Sequence, residues 1–137
     1  MSIKKIIALA SAKGGVGKST LTALSALSLC KDYKVGILDA DIYGPNQHIL
    51  FDIENIKPEI ISKNSKKFFK PISSKGIEIA SMGSIIDSDK AAIWRGPMLS
   101  GAIKQLMTTT DWSDLDILFI DMPPGTGDAY LTVCAEI

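Results

Sequence analysis

One stretch near the amino terminus limits what this chain can fold into: Ile3-Lys4-Lys5-Ile6-Ile7-Ala8-Leu9-Ala10-Ser11-Ala12-Lys13-Gly14-Gly15-Val16-Gly17-Lys18-Ser19-Thr20. The apolar run Ile6 to Ala10 reads as a buried strand, breaks into a glycine-rich turn, and gives way to helical periodicity near Lys18. Strand, glycine loop and helix in that order form a cradle for phosphate. Backbone N–H groups close around phosphate oxygens only where no Cβ blocks the approach, and the helix adds its unpaired N-terminal N–H groups and the positive end of its dipole. On this reading Gly14, Gly15, Val16, Gly17, Lys18, Ser19 and Thr20 line the nucleotide. Lys18 reaches the β- and γ-phosphates, and the Ser19 hydroxyl faces Mg2+. The strict pattern G-x-x-x-x-G-K-[ST] is missed by one residue, because Ala12 occupies the first glycine position, and Lys13 adds a second lysine at the start of the loop. A plain turn with surface lysines is the alternative, and the flanking strand and helix weigh against it.

Leu21, Leu24, Leu27 and Leu29, with interleaved alanines, continue a helix to about Lys31, and Lys34 to Asp39 follows as a second short buried strand. Two strands joined by such a helix form a right-handed crossover, hence a parallel pair, and ligands of such sheets bind at the carboxyl ends of strands. The acids of Asp39-Ala40-Asp41-Ile42-Tyr43-Gly44-Pro45-Asn46 therefore stand at the same edge as the phosphate loop. Asp39 reads as a carboxylate on the magnesium side, acting through the metal's waters, with capping of the turn as its alternative role. Asp41 reads as the residue that positions water for attack.

Residues 55–75 are rich in lysine and serine and read as a solvated excursion with short strands, while Gly76 to Gly83 alternates as a third strand. Apolar positions from Pro97 to Thr109 recur at helical spacing. Leu115-Asp116-Ile117-Leu118-Phe119-Ile120-Asp121 is a nearly continuous apolar run ending in an acid, the form of a strand buried on both faces whose terminal carboxylate holds Mg2+ or its waters. In Met122-Pro123-Pro124-Gly125-Thr126-Gly127-Asp128 the prolines stiffen and the glycines bend the chain, so that Gly125 can sense a γ-phosphate through its backbone N–H. Residues 129–137 have a helical pattern with no terminating glycine, asparagine or base, and the sequence reads as the front portion of a longer domain.

The 137 residues suffice for one domain, here residues 1–137, and 15 basic against 15 acidic side chains give no electrostatic footprint for nucleic acid. No signal peptide or spanning helix can be read, which points to a cytoplasmic protein that engages no membrane. Cys30 and Cys134 form no C-x-x-C pair and read as small buried residues in apolar helices.

Lys13 to Thr20, LDADIYGPN (residues 38–46), IWRGPM (93–98), residues 111–118 and IDMPPGTGD (120–128) together resemble the Mrp/ApbC-type iron–sulfur cluster carrier ATPases, within the deviant Walker A (MinD/ParA-like) P-loop class. The resemblance implies an α/β P-loop NTPase with a mainly parallel sheet between two helical layers. It implies an ATP hydrolase whose Lys13 reaches across a homodimer to the partner's nucleotide, with Asp41 in switch I and Asp121 opening switch II. The catalytic set is then Lys13, Lys18 and Asp41, and the metal set Ser19, Asp39 and Asp121. The family delivers iron–sulfur clusters to apo iron–sulfur proteins under control of ATP, on a C-x-x-C motif in its carboxyl-terminal half. This sequence holds no such motif, so a 4Fe–4S cluster is expected only for the full-length protein. A MinD/ParA-like positioning or partition ATPase and a nucleotide-binding scaffold without hydrolysis are the two alternatives.

Overall fold

In the computed structural model, residues 2–11, 17–41, 47–53, 59–82, 96–123 and 128–136 are described. Their elements are β1 (Ile3–Leu9), α1 (Lys18–Leu29), β2 (Val35–Asp39), α2 (Gln47–Leu50), β3 (Ile60–Lys63), β4 (Lys66–Phe69), β5 (Ile72–Ser74), β6 (Ile77–Ser81), α3 (Gly96–Thr109), β7 (Leu115–Asp121) and α4 (Asp128–Glu136). Five strands form one sheet in the order β1-β7-β2-β6-β5, with β3 and β4 as a separate antiparallel pair. All neighbours in the larger sheet are parallel except β5 with β6.

Alternation along the central strands builds a core on each face of the sheet. Val35 and Ile37 of β2, with Phe119 of β7, pack under Ala23 and Ala26 of α1. Leu38 of β2, with Leu118 and Ile120 of β7, packs under Ile103 and Leu106 of α3 and Val133 of α4. Helices thus cover both sides, as an α/β sheet with continuous apolar strands requires. Gly36 is fixed by packing, since a Cβ there would lie 2.6 Å from Leu115 Cδ1 and 3.1 Å from the Trp112 ring.

The β1–α1–β2 unit differs from the adjacent pair expected of it. The two strands are parallel, but β7 lies between them and pairs with both. β1 is correspondingly not the buried strand that its composition suggests: Ile6 and Ile7 are 41% and 37% exposed, and Leu21 and Leu24 of the helix beside it are each 57% exposed. The α1 helix stops at Leu29, two residues short of Lys31, where Cys30 N–H donates to Ala26 O and closes the last turn. Cys134 is also misread from sequence, being exposed, and Cys30 is half-buried. α4 buries Val133, and the next residue is turned about 100° away from the sheet. Among the described residues no helix is long and apolar enough to cross a membrane.

Candidate functional site

The site lies at the carboxyl ends of β7 and β2 and the start of α1. Gly17, the N-cap of α1, has φ +86°, a left-handed conformation that glycine alone adopts without strain, and its carbonyl accepts the first helical bond from Leu21 N–H at 2.9 Å. β2 and β7 end in step. Asp39 stands opposite Asp121 in the parallel register, and Ala40 N–H donates to Asp121 O at 3.0 Å just beyond. Two apolar strands thus deliver two carboxyl groups to one height, both fully buried.

Lys18, in the first turn of α1, meets them. Its ammonium donates to Asp121 Oδ1 and lies 3.5 Å from Asp41 Oδ2, with all three side chains buried. Asp121 Oδ2 accepts from Gln47 Nε2 at 3.0 Å, and the same nitrogen donates to Ser19 O at 2.7 Å. Asp39 holds the departing chain: its Oδ1 accepts from Asp41 N–H at 3.1 Å, and its Oδ2 accepts from Gln47 N–H at 2.7 Å and Ser81 Oγ at 3.2 Å. Bonding to the N–H two residues on is the turn-capping geometry open to aspartate. Burial, with the charge of Asp121 beside it, pushes the Asp39 carboxyl from 3.8 up to about 8, against the pull of the Gln47 and Asp41 backbone donors.

Of the residues singled out in the sequence, Gly17, Lys18, Ser19, Asp39, Asp41 and Asp121 come together here. Ser19 is buried, whereas Thr20 on the same turn is exposed. Lys13, Gly14, Gly15, Val16 and Gly125 lie outside the described residues, as does Ile93 to Arg95 of the IWRGPM stretch. A cleft of about 380 Å³ opens beside the site, lined by residues 8–11 with Gly17, Lys18 and Leu21. A larger one of about 610 Å³, with Lys63, Glu78 and Trp112 in its lining, sits at the opposite, amino ends of β6 and β7. It contains none of these residues. Among the described residues no group of three or more His, Cys, Asp or Glu is arranged to hold a metal unaided.

Gln47 and Ser81 belong to the site and were not singled out in the sequence. Ser81 ends β6 next to Asp39 in the β2 register, so its place could be read only after the strand order was known. Gln47 follows the LDADIYGPN stretch directly, ahead of residues 55–75 that composition marks as solvated, and nothing in its own spacing singles it out.

The fold defines a P-loop NTPase. A nucleotide-binding protein from Archaeoglobus fulgidus, solved in complex with ADP, superposes with a TM-score of 0.75 at 39% identity, covering 98% of this chain and 50% of that one. The MinC:MinD cell division complex of Aquifex aeolicus shares the fold at a TM-score of 0.56 and 18% identity, over 97% of this chain and 52% of that one. The chain belongs to the ParA family described as NUBPL iron-transfer P-loop NTPase, whose model matches residues 2–137. An iron–sulfur cluster carrier protein of Pseudomonas fragi is 51% identical over 99% of this chain and 47% of its own length. The iron–sulfur cluster transfer protein NUBPL of Dictyostelium discoideum is 43% identical over 98% of this chain and 42% of its own. The chain spans less than half the length of these two relatives.

Proposed function

We propose that residues 1–137 act as one nucleotide-binding unit that takes Mg·ATP at the carboxyl ends of β7 and β2. In the full-length protein, as a homodimer, it would hydrolyse ATP slowly and so control delivery of an iron–sulfur cluster to apo iron–sulfur proteins. The observation that carries this reading is the convergence of three separated segments on Lys18, whose ammonium is buried against Asp41 and Asp121. A buried cation among carboxyl groups at the start of a glycine-capped helix is suited to hand its charge to a phosphate. Membership of the iron-transfer family and the carrier names of the relatives support the cargo, and the ADP-bound Archaeoglobus neighbour supports the nucleotide.

In this reading Gly14, Gly15, Val16, Gly17 and Thr20 line the phosphates and Lys18 binds the β- and γ-groups. Lys13 acts across the dimer, Asp41 orients the attacking water, and Gly125 senses the γ-phosphate. The donors around the site are hard oxygens, the type that Mg2+ selects, and Mg2+ keeps several of its waters. Ser19 and Asp121 would hold the ion, with Asp39 acting through a bound water. The ion's contribution is charge neutralisation on the β- and γ-phosphates. Asp39, already engaged by three donors of the chain, also fixes the path from β2 to α2.

Titration calorimetry tests the binding. Wild-type protein should bind ATP in the presence of Mg2+, and Lys18→Ala, shown by circular dichroism to be folded, should not. Equal affinity in that folded variant refutes the cradle.

A further inference from the structure

The side chain of Gln47 is fully buried, and its Oε1 has no hydrogen-bond partner among the described residues. The amide cannot simply be turned over. Its nitrogen sits 2.7 Å from Ser19 O and 3.0 Å from Asp121 Oδ2, both of which only accept, so the oxygen must be the unpaired atom. A buried acceptor without a donor is costly, and such an atom in a folded protein calls for a physical explanation. Oε1 lies on the same planar group as a nitrogen bonded to Asp121, one of two buried carboxyl groups that face the ammonium of Lys18. Oε1 is therefore short of a donor beside a carboxyl group that the ion would take up. A hydrated cation supplies one, because its waters present only hydrogens outward.

Resting on the Mg·nucleotide reading above, we propose that Gln47 is a positioning residue for the divalent cation. Its nitrogen fixes the Asp121 carboxylate and the first turn of α1, and its oxygen accepts a hydrogen bond from water on the ion. Its backbone N–H, bonded to Asp39 Oδ2 at 2.7 Å, ties the same residue to the end of β2. One side chain thereby joins the three strand and helix ends that must keep their spacing around the ion.

The test uses Mn2+ as the probe, read by electron paramagnetic resonance with the full chain and ADP, alongside calorimetry of ADP alone in EDTA. Gln47→Met keeps the volume and removes both polar atoms. It should weaken Mn2+ binding to the ADP complex by about tenfold or more, as loss of a group supporting a metal's ligands does, and by a larger factor than it weakens ADP binding in EDTA. Gln47→Glu keeps the oxygen and gives up the donors, and it should bind Mn2+ more tightly than Gln47→Met does. Wild-type Mn2+ affinity in the Met variant overturns the proposal. So does a Glu variant as weak as the Met variant, which would assign the whole effect to the lost nitrogen. If Gln47→Met fails to fold, Gln47→Leu serves as the variant without polar atoms. A wild-type chain that binds neither ADP nor Mn2+·ADP refutes the nucleotide reading itself, an outcome distinct from normal wild-type binding with indifferent variants.

Discussion

Replacing Lys18 by methionine, in the absence of nucleotide, measures how the site is held together. The Lys18 side chain is 7% exposed, as is that of Asp41, and Asp121 is 0% exposed, so solvent cannot take over the lost interaction. Breaking one side of a buried ion pair costs about 3–5 kcal/mol, because the remaining charge is left uncompensated. Asp121 keeps one neutral donor, Gln47 Nε2 at 3.0 Å, which places the expected loss nearer the lower figure. A loss of about 3 kcal/mol is a large share of the roughly 5–15 kcal/mol that a folded domain possesses. With slopes of about 1–3 kcal/mol per molar, it moves the urea midpoint down by about 1–3 M. The double variant Lys18→Met with Asp121→Asn removes the orphaned charge together with its partner and should recover about half the loss or more. The reasoning is refuted if Lys18→Met unfolds within about 0.5 kcal/mol of wild type, the range of ordinary surface substitutions. It is equally refuted if the double variant is no more stable than the single one.

The remaining predictions concern single positions. With its carboxyl raised from 3.8 to about 8, Asp39 keeps a proton in the folded state that the unfolded chain gives up, so its contribution to stability falls as pH rises between those values. The slope is at most about 1.4 kcal/mol per pH unit. Asp39→Asn should therefore gain on wild type from pH 5 to pH 8 in urea unfolding, and parallel curves would show that the group ionises normally. Gly36→Ala places a methyl 2.6 Å from Leu115 Cδ1 and should cost about 1–3 kcal/mol by overpacking, seen as a lower melting temperature. An unchanged melting temperature would mean that Leu115 and Trp112 yield freely. Asp41→Ala should leave ATP binding intact while lowering phosphate release, and equal turnover would remove Asp41 from the chemistry.

Much of the site was legible because each acid terminates its own apolar run. Leu115 to Asp121 announces a strand buried on both faces with a carboxylate at its end, and Val35 to Asp39 does the same in shorter form. A strand that ends where its apolar pattern ends delivers its last side chain to the sheet edge whatever its neighbours are. Pairing is another matter, because apolar alternation says which face a residue occupies and not which strand lies alongside. Hence the order β1-β7-β2 could not be read from the β1–α1–β2 unit, and the exposure of Ile6 and Ile7 follows from that order and not from their composition. The same limit applies to Gln47, which touches Ser19 across 28 residues and Asp121 across 74. Its amide is needed only because the strand order sets Asp39 beside Asp121, leaving a buried carboxylate oxygen and a helix-turn carbonyl within reach of one donor. A residue whose partners are all assembled by topology carries no local spacing of its own, so the residues that hold a strand-end site in register are harder to read than those that terminate the strands.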